Sequence, residues 1–81
     1  MATLFVLDVD DFEPFWQQAK GDDLRVTHHG HYVRLDFVGE LVVDRVSTGL
    51  RHAVWYSAIA GVHGATVAQY DKVQLKLVAN G

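Results

Sequence analysis

Asp44 and His52 are the pair in this sequence whose types and spacing could do acid–base chemistry together. A carboxylate beside an imidazole orients the ring and stabilises its charged form, the relationship a general base uses. Two turns would bring them side by side. Gly39-Glu40 fits a two-residue hairpin loop, which pairs Phe37 with Val42 and Leu35 with Asp44. Ser47-Thr48-Gly49 fits a three-residue loop that pairs Val46 with Leu50 and, two steps on, Asp44 with His52. His31 then lies on the same face, two residues before Val33, and Tyr56 extends the line beyond Val54. His31, Asp44, His52 and Tyr56 are therefore the candidate catalytic set, and His29, His31 and His52 the candidate metal ligands. A structural reading competes with both, in which Asp44 and His52 form a satisfied pair and the run His28-His29-Gly30-His31 is a solvated strand end.

The same registers place Arg34 opposite Arg45 and Arg45 opposite Arg51, so three like charges converge on the other face. Asp36 can serve one of them; an anionic ligand or an acidic partner could serve the rest. With Trp55 on an apolar patch of that face, Arg34, Arg45 and Arg51 form a candidate ligand-binding set.

Other chemistry is poorly represented. There is no cysteine, which excludes disulfides and thiolate metal sites. No glycine-rich phosphate loop is present, and Ser47 and Ser57 lack the setting of a nucleophile elbow. The sequence names no cofactor.

These side chains need a scaffold, and 81 residues is the length of a single domain, 1–81, with a modest core. Thr3 to Val9 alternates as a strand with Phe5 and Leu7 among its buried positions. Residues 11–20 read as a helix with Asp10 or Asp11 as its N-cap and Pro14 in the first turn; Gly21 ends it. Phe12, Phe15, Trp16 and Ala19 form its apolar stripe. From Leu24 onward the pattern is one of antiparallel strands, with a long central strand at residues 51–60, a loop at 61–64 and a turn at Asp71-Lys72. Trp55, Ile59, Ala68, Tyr70, Val73 and Leu75 then share the face opposite Val54 and His52. The expected fold class is α+β, a mostly antiparallel meander closing toward a barrel, with one N-terminal helix. The alternative makes residues 49–60 a helix and gives the ferredoxin-like order βαββαβ.

Residues 53–70 contain no Asp, Glu, Lys or Arg, and the expectation is that they are buried in the core or against a second copy of the chain. Charge is unevenly spread. Residues 1–23 carry six acids against Lys20, whereas residues 24–81 carry six bases and four acids, within a net charge of -3. The bases are scattered, which argues against nucleic acid as a partner. No stretch has the unbroken apolarity of a membrane span and no secretory leader is visible, so a cytoplasmic location is expected. The leading functional reading is a small soluble binding, accessory or assembly protein without covalent chemistry, which forms a homodimer or larger assembly and takes a protein partner or small-molecule ligand. The rival is a small cofactor-free or metal-dependent enzyme using the His/Asp pocket; an anion or nucleic-acid binder is the weaker alternative.

Overall fold

The computed structural model describes residues 2–80. Six strands, β1 (Ala2–Leu7), β2 (Lys20–His29), β3 (Tyr32–Asp44), β4 (Ile59–His63), β5 (Ala65–Tyr70) and β6 (Gln74–Ala79), form one sheet. Three short helices join them: α1 (Glu13–Gln17), preceded by a 3-10 turn at Asp10–Phe12, then α2 (Arg45–Thr48) and α3 (His52–Ser57). The fold is α+β with a largely antiparallel, curled half-barrel sheet. Among the described residues, no helix is long and apolar enough to cross a membrane.

The thirteen-residue strand β3 organises the sheet. Along one edge it pairs with β2, from Lys20↔Val42 to His29↔Tyr32. Its other edge is shared end to end, with β1 on Tyr32 to Phe37 and β6 on Glu40 to Asp44. Both strands run antiparallel to β3, and β4 and β5 add outside them. The order β4-β1-β3-β2, with helices in the β1–β2 and β3–β4 connections, is the antiparallel βαββαβ arrangement expected as the alternative, here extended by the β5–β6 hairpin.

Side-chain alternation makes one face of this sheet the core. Val33, Leu35, Phe37, Leu41 and Val43 of β3 stand beside Val6, Leu4, Ala2, Leu77 and Leu75 of their partners, and all ten are buried. Phe12, Phe15, Leu50, Trp55 and Ala58 pack on that face from the helical segments, with Trp16 and Ala19 half-buried against them. The expected stripe Phe12, Phe15, Trp16 and Ala19 therefore meets the sheet, although the helix stops at Gln17 and β2 already begins at Lys20. No side chain caps the start of this helical segment, so Asp10 and Asp11 do not act as N-caps.

Several expected elements are corrected. Gly39 does not reverse the chain: it sits inside β3 at φ 74, and strands β1 and β6 supply the partners that the hairpin would have provided. The pairs Phe37–Val42 and Leu35–Asp44 therefore do not form. Residues 51–60 are not a strand, because His52–Ser57 coil as α3 and strand geometry starts only at Ile59. In β1 Ala2, Thr3, Leu4 and Val6 are buried, whereas Phe5 is half-buried and Leu7 exposed. Residues 53–70 are mostly at the surface, with only Trp55 and Ala58 buried. The loop expected at 61–64 shrinks to Gly64, at φ 71 between β4 and β5. The turn at Asp71-Lys72 is where expected, since the Asp71 carboxylate accepts from the Val73 and Gln74 amides. Of the face assigned to Trp55, Leu75 and Val73, the first two join the common core and Val73 is exposed.

Candidate interaction surface

Residues Arg45–Thr48 coil as α2 and His52–Ser57 as α3, so the loop expected at 47–49 does not join two strands, Val46 does not pair with Leu50, and the proposed Asp44–His52 register is absent. Asp44 caps α2, its carboxylate accepting from the Ser47 amide at 3.0 Å and the Ser47 hydroxyl at 2.7 Å. Those two bonds hold its carboxyl below the ordinary range against slight desolvation, with Lys20 and Arg45 assisting. His52 opens α3 in solvent, and among the described residues no hydrogen bond or ion pair joins it to Asp44. His31 lies in the β2–β3 turn next to Gly30, at the end of β3 remote from Asp44, while Tyr56 is exposed on α3 with its ring 5.3 Å from that of Tyr70. The four candidate catalytic residues are thus dispersed. Likewise His29, His31 and His52 do not converge: among the described residues no group of three His, Asp or Glu side chains is placed to hold a metal ion.

The three arginines do not converge either. Arg34 lies in β3, where its Nε donates to both Asp36 carboxylate oxygens at 3.0 and 3.1 Å. Arg45 belongs to α2 and donates to the carbonyls of Leu50, at 3.0 Å, and Lys72. Arg51 is exposed just before α3. Trp55, offered as a ligand contact, is wholly buried, with its indole N–H donating to the Asp71 carbonyl at 2.7 Å.

What the fold presents instead is the face of the sheet that the helices leave uncovered. The odd residues of β1 and the even residues of β3 point there, so Phe5, Tyr32 and Arg34 become neighbours across the ladder. Phe5 meets Tyr32 edge-on at 6.3 Å between ring centroids and His63 of β4 at 5.7 Å. With Ala60 and Gly61 these rings line a shallow groove of about 260 Å³. Beside it, the Thr3 hydroxyl donates to Asp36 at 2.6 Å while Arg34 clamps the same carboxylate. Desolvation pushes the Asp36 carboxyl up, but the Thr3 and Arg34 hydrogen bonds and the charges of Arg34 and Arg25 outweigh it and hold it below its ordinary value. A rigid charge pair thus borders an aromatic groove. Such a surface suits recognition of another molecule: apolar rings supply area, and the fixed polar pair supplies orientation.

Sequence reasoning named Arg34, with Asp36 able to serve one of the arginines, and missed the aromatic groove of this face. It also missed the carboxylate–imidazole pair that does form, Asp8 with His28 at 2.7 Å, where the edge of Trp16 meets the imidazole. The available signal was Gly30, whose hairpin sets His28 beside Val33; the separate β1–β3 ladder, with Leu7 beside Tyr32, brings Asp8 to the same end of β3.

No protein-family model matches the sequence, and no curated protein matches it. Among solved structures, the chain is similar to one from a phenol hydroxylase–regulatory protein complex, at a TM-score of 0.78 with 16% identity over 98% of both chains. The likeness is one of fold. It runs from end to end of two chains of the same small size, so all six strands fall within it.

Proposed function

We propose that this chain is a small accessory protein of the regulatory kind, which acts by binding a larger enzyme and performs no covalent chemistry itself. The observation that carries this reading is the end-to-end likeness of fold to a chain from a complex of an enzyme with its regulatory protein. Two features of the chain support it. The candidate catalytic residues His31, Asp44, His52 and Tyr56 are dispersed over the β2–β3 turn, the end of β3 and α3, and the uncovered face offers an aromatic groove with an oriented charge pair. On this reading the partner lies against Phe5, Tyr32 and His63, while Arg34 and Asp36 set its register.

Self-association belongs to the same reading, because half of the uncharged run 53–70 is exposed and two copies of a net -3 chain would meet there without like-charge opposition. The test is to titrate the purified chain into a phenol hydroxylase freed of its own regulatory protein, taken from the organism that encodes this chain. A rise in phenol turnover that saturates at a fixed molar ratio is expected, with co-sedimentation of the two proteins. Tyr32→Ala should weaken both. Unchanged turnover together with independent sedimentation refutes the accessory reading, and the same sedimentation run of the chain alone reads its self-association.

A further inference from the structure

At the Asp44 end of β3, α2 and the β5–β6 turn combine into a tip that the groove on the sheet does not include. Arg45 fastens the two parts: its amide donates to the Val73 carbonyl at 3.0 Å, and its guanidinium reaches the carbonyls of Leu50 and Lys72. Gly49, at φ 70, closes α2 with its amide on the Arg45 and Val46 carbonyls. Two apolar side chains stand out from this braced frame. Val46 is 72% exposed, the highest of any large apolar residue among those described, and Val73 is 51% exposed.

The charges around the valines are a small positive excess, Arg45, Arg51 and Lys72 against Asp44 and Asp71. Asp44 spends its carboxylate on Ser47, and Asp71 spends its own on the Val73 and Gln74 amides and on Gln69. Arg45 is likewise engaged with carbonyls. Arg51 and Lys72 remain exposed, and among the described residues neither forms an ion pair. A chain of net charge -3 thus carries two free cations on the same tip as its most exposed large apolar residue, at the end of β3 opposite Asp8, whose amide donates to the His31 carbonyl.

We infer that this tip is a docking element for an acidic protein surface, with Val46 and Val73 entering an apolar recess and Arg51 and Lys72 meeting carboxylates at its rim. The inference rests on the accessory-protein reading above and adds a second contact to it. Charge complementarity selects the partner: both exposed side chains at the tip that lack an ion pair are cationic, and this local positive excess on an acidic protein steers it toward acid. Two free cations release too few counterions to hold a nucleic acid.

The test uses the full chain and the phenol hydroxylase named above, with binding measured at low and high salt. Arg51→Glu combined with Lys72→Glu should weaken binding by about tenfold or more and flatten its salt dependence. Val46→Ser should weaken it severalfold with the salt dependence kept. Asp10→Asn with Asp11→Asn, in the connection between β1 and α1, should leave it within about twofold, and circular dichroism should show all variants melting like the wild type. If the wild type binds and the tip variants bind equally well, the tip inference fails while the accessory reading stands. If the wild type does not bind at all, both fail. Tip variants that lose only self-association, or only binding to a DNA duplex, overturn the inference in favour of a second copy or of nucleic acid.

Discussion

Trp55→Phe tests whether the helix at residues 52–57 is pinned to the β5–β6 hairpin from inside. The Trp55 ring is fully buried between Phe15, at 5.3 Å, and Tyr70, at 5.7 Å, and its N–H donates to the Asp71 carbonyl. Phenylalanine keeps one ring but cannot donate. The lost hydrogen bond removes about 1 kcal/mol. The space left by the smaller ring costs about 1–2 kcal/mol more, since the full Trp-to-Ala deletion costs about 3–5. A sum of about 2–3 kcal/mol corresponds, for a domain of this size, to a melting temperature lower by about 10–20 °C. Urea and thermal unfolding followed by far-ultraviolet circular dichroism measure it without relying on the indole that has been removed. A loss below about 0.5 kcal/mol would refute the reasoning, because it would mean the ring is at the surface, as a strand at 51–60 facing a partner would place it.

Two further outcomes follow from the ionisable groups. Tyr70 has its phenol pushed up to about 12 from 10.0, by desolvation and then by Tyr56, while its hydroxyl donates to the Trp55 carbonyl at 2.6 Å. The neutral form is thus favoured by folding, so the stabilisation is full below pH 10 and is lost as pH rises toward 12. Phenolate absorbance should show one late-titrating tyrosine that Tyr70→Phe removes; a native titration complete by pH 11 would contradict this. Asp36→Asn should cost about 1–2 kcal/mol at neutral pH by discarding charge-assisted bonds from Thr3 and Arg34. Because folding lowers the Asp36 value, that advantage exists above about pH 4 and fades as acid protonates the folded carboxylate. Parallel melting curves at pH 7 and pH 2.5 decide it, and a difference that grows in acid would reverse the sign.

The parts of the fold legible in the sequence are those fixed by local pattern. The stripe Phe12, Phe15, Trp16 and Ala19 needed only helical spacing, and Asp71 announces its turn by accepting the amides that follow it. Class was legible for the same reason, as extended apolar runs dominate. Register was not. A glycine with positive φ serves a reversal or a bend equally well, and Gly39 bends β3 because β1 and β6, distant in sequence, already occupy its edge. Ala53 to Ser57 fits both periods, and burial of Trp55 against Phe15 selects the helix. The candidate site inherited these errors, since a misread turn moves each later side chain to the wrong face. Arg34 was legible as needing Asp36, whereas the groove of Phe5, Tyr32 and His63 required three separate strands to be placed first.

Strands β1 and β6 lie in line along one edge of β3, with Ala2 set against Phe37 and Val78 against Glu40. Three residue steps of extended β3, across Val38 and Gly39, separate those positions, a span of about 10 Å. A loop of a few glycines could therefore fuse residue 80 to residue 2, and the ring so formed could be reopened at Gly30, in the exposed β2–β3 connection. Such a circular permutant would keep each sheet pairing while turning β1 and β6 into one covalent strand, so that the middle of the sheet would depend on a continuous backbone instead of on two abutting ends.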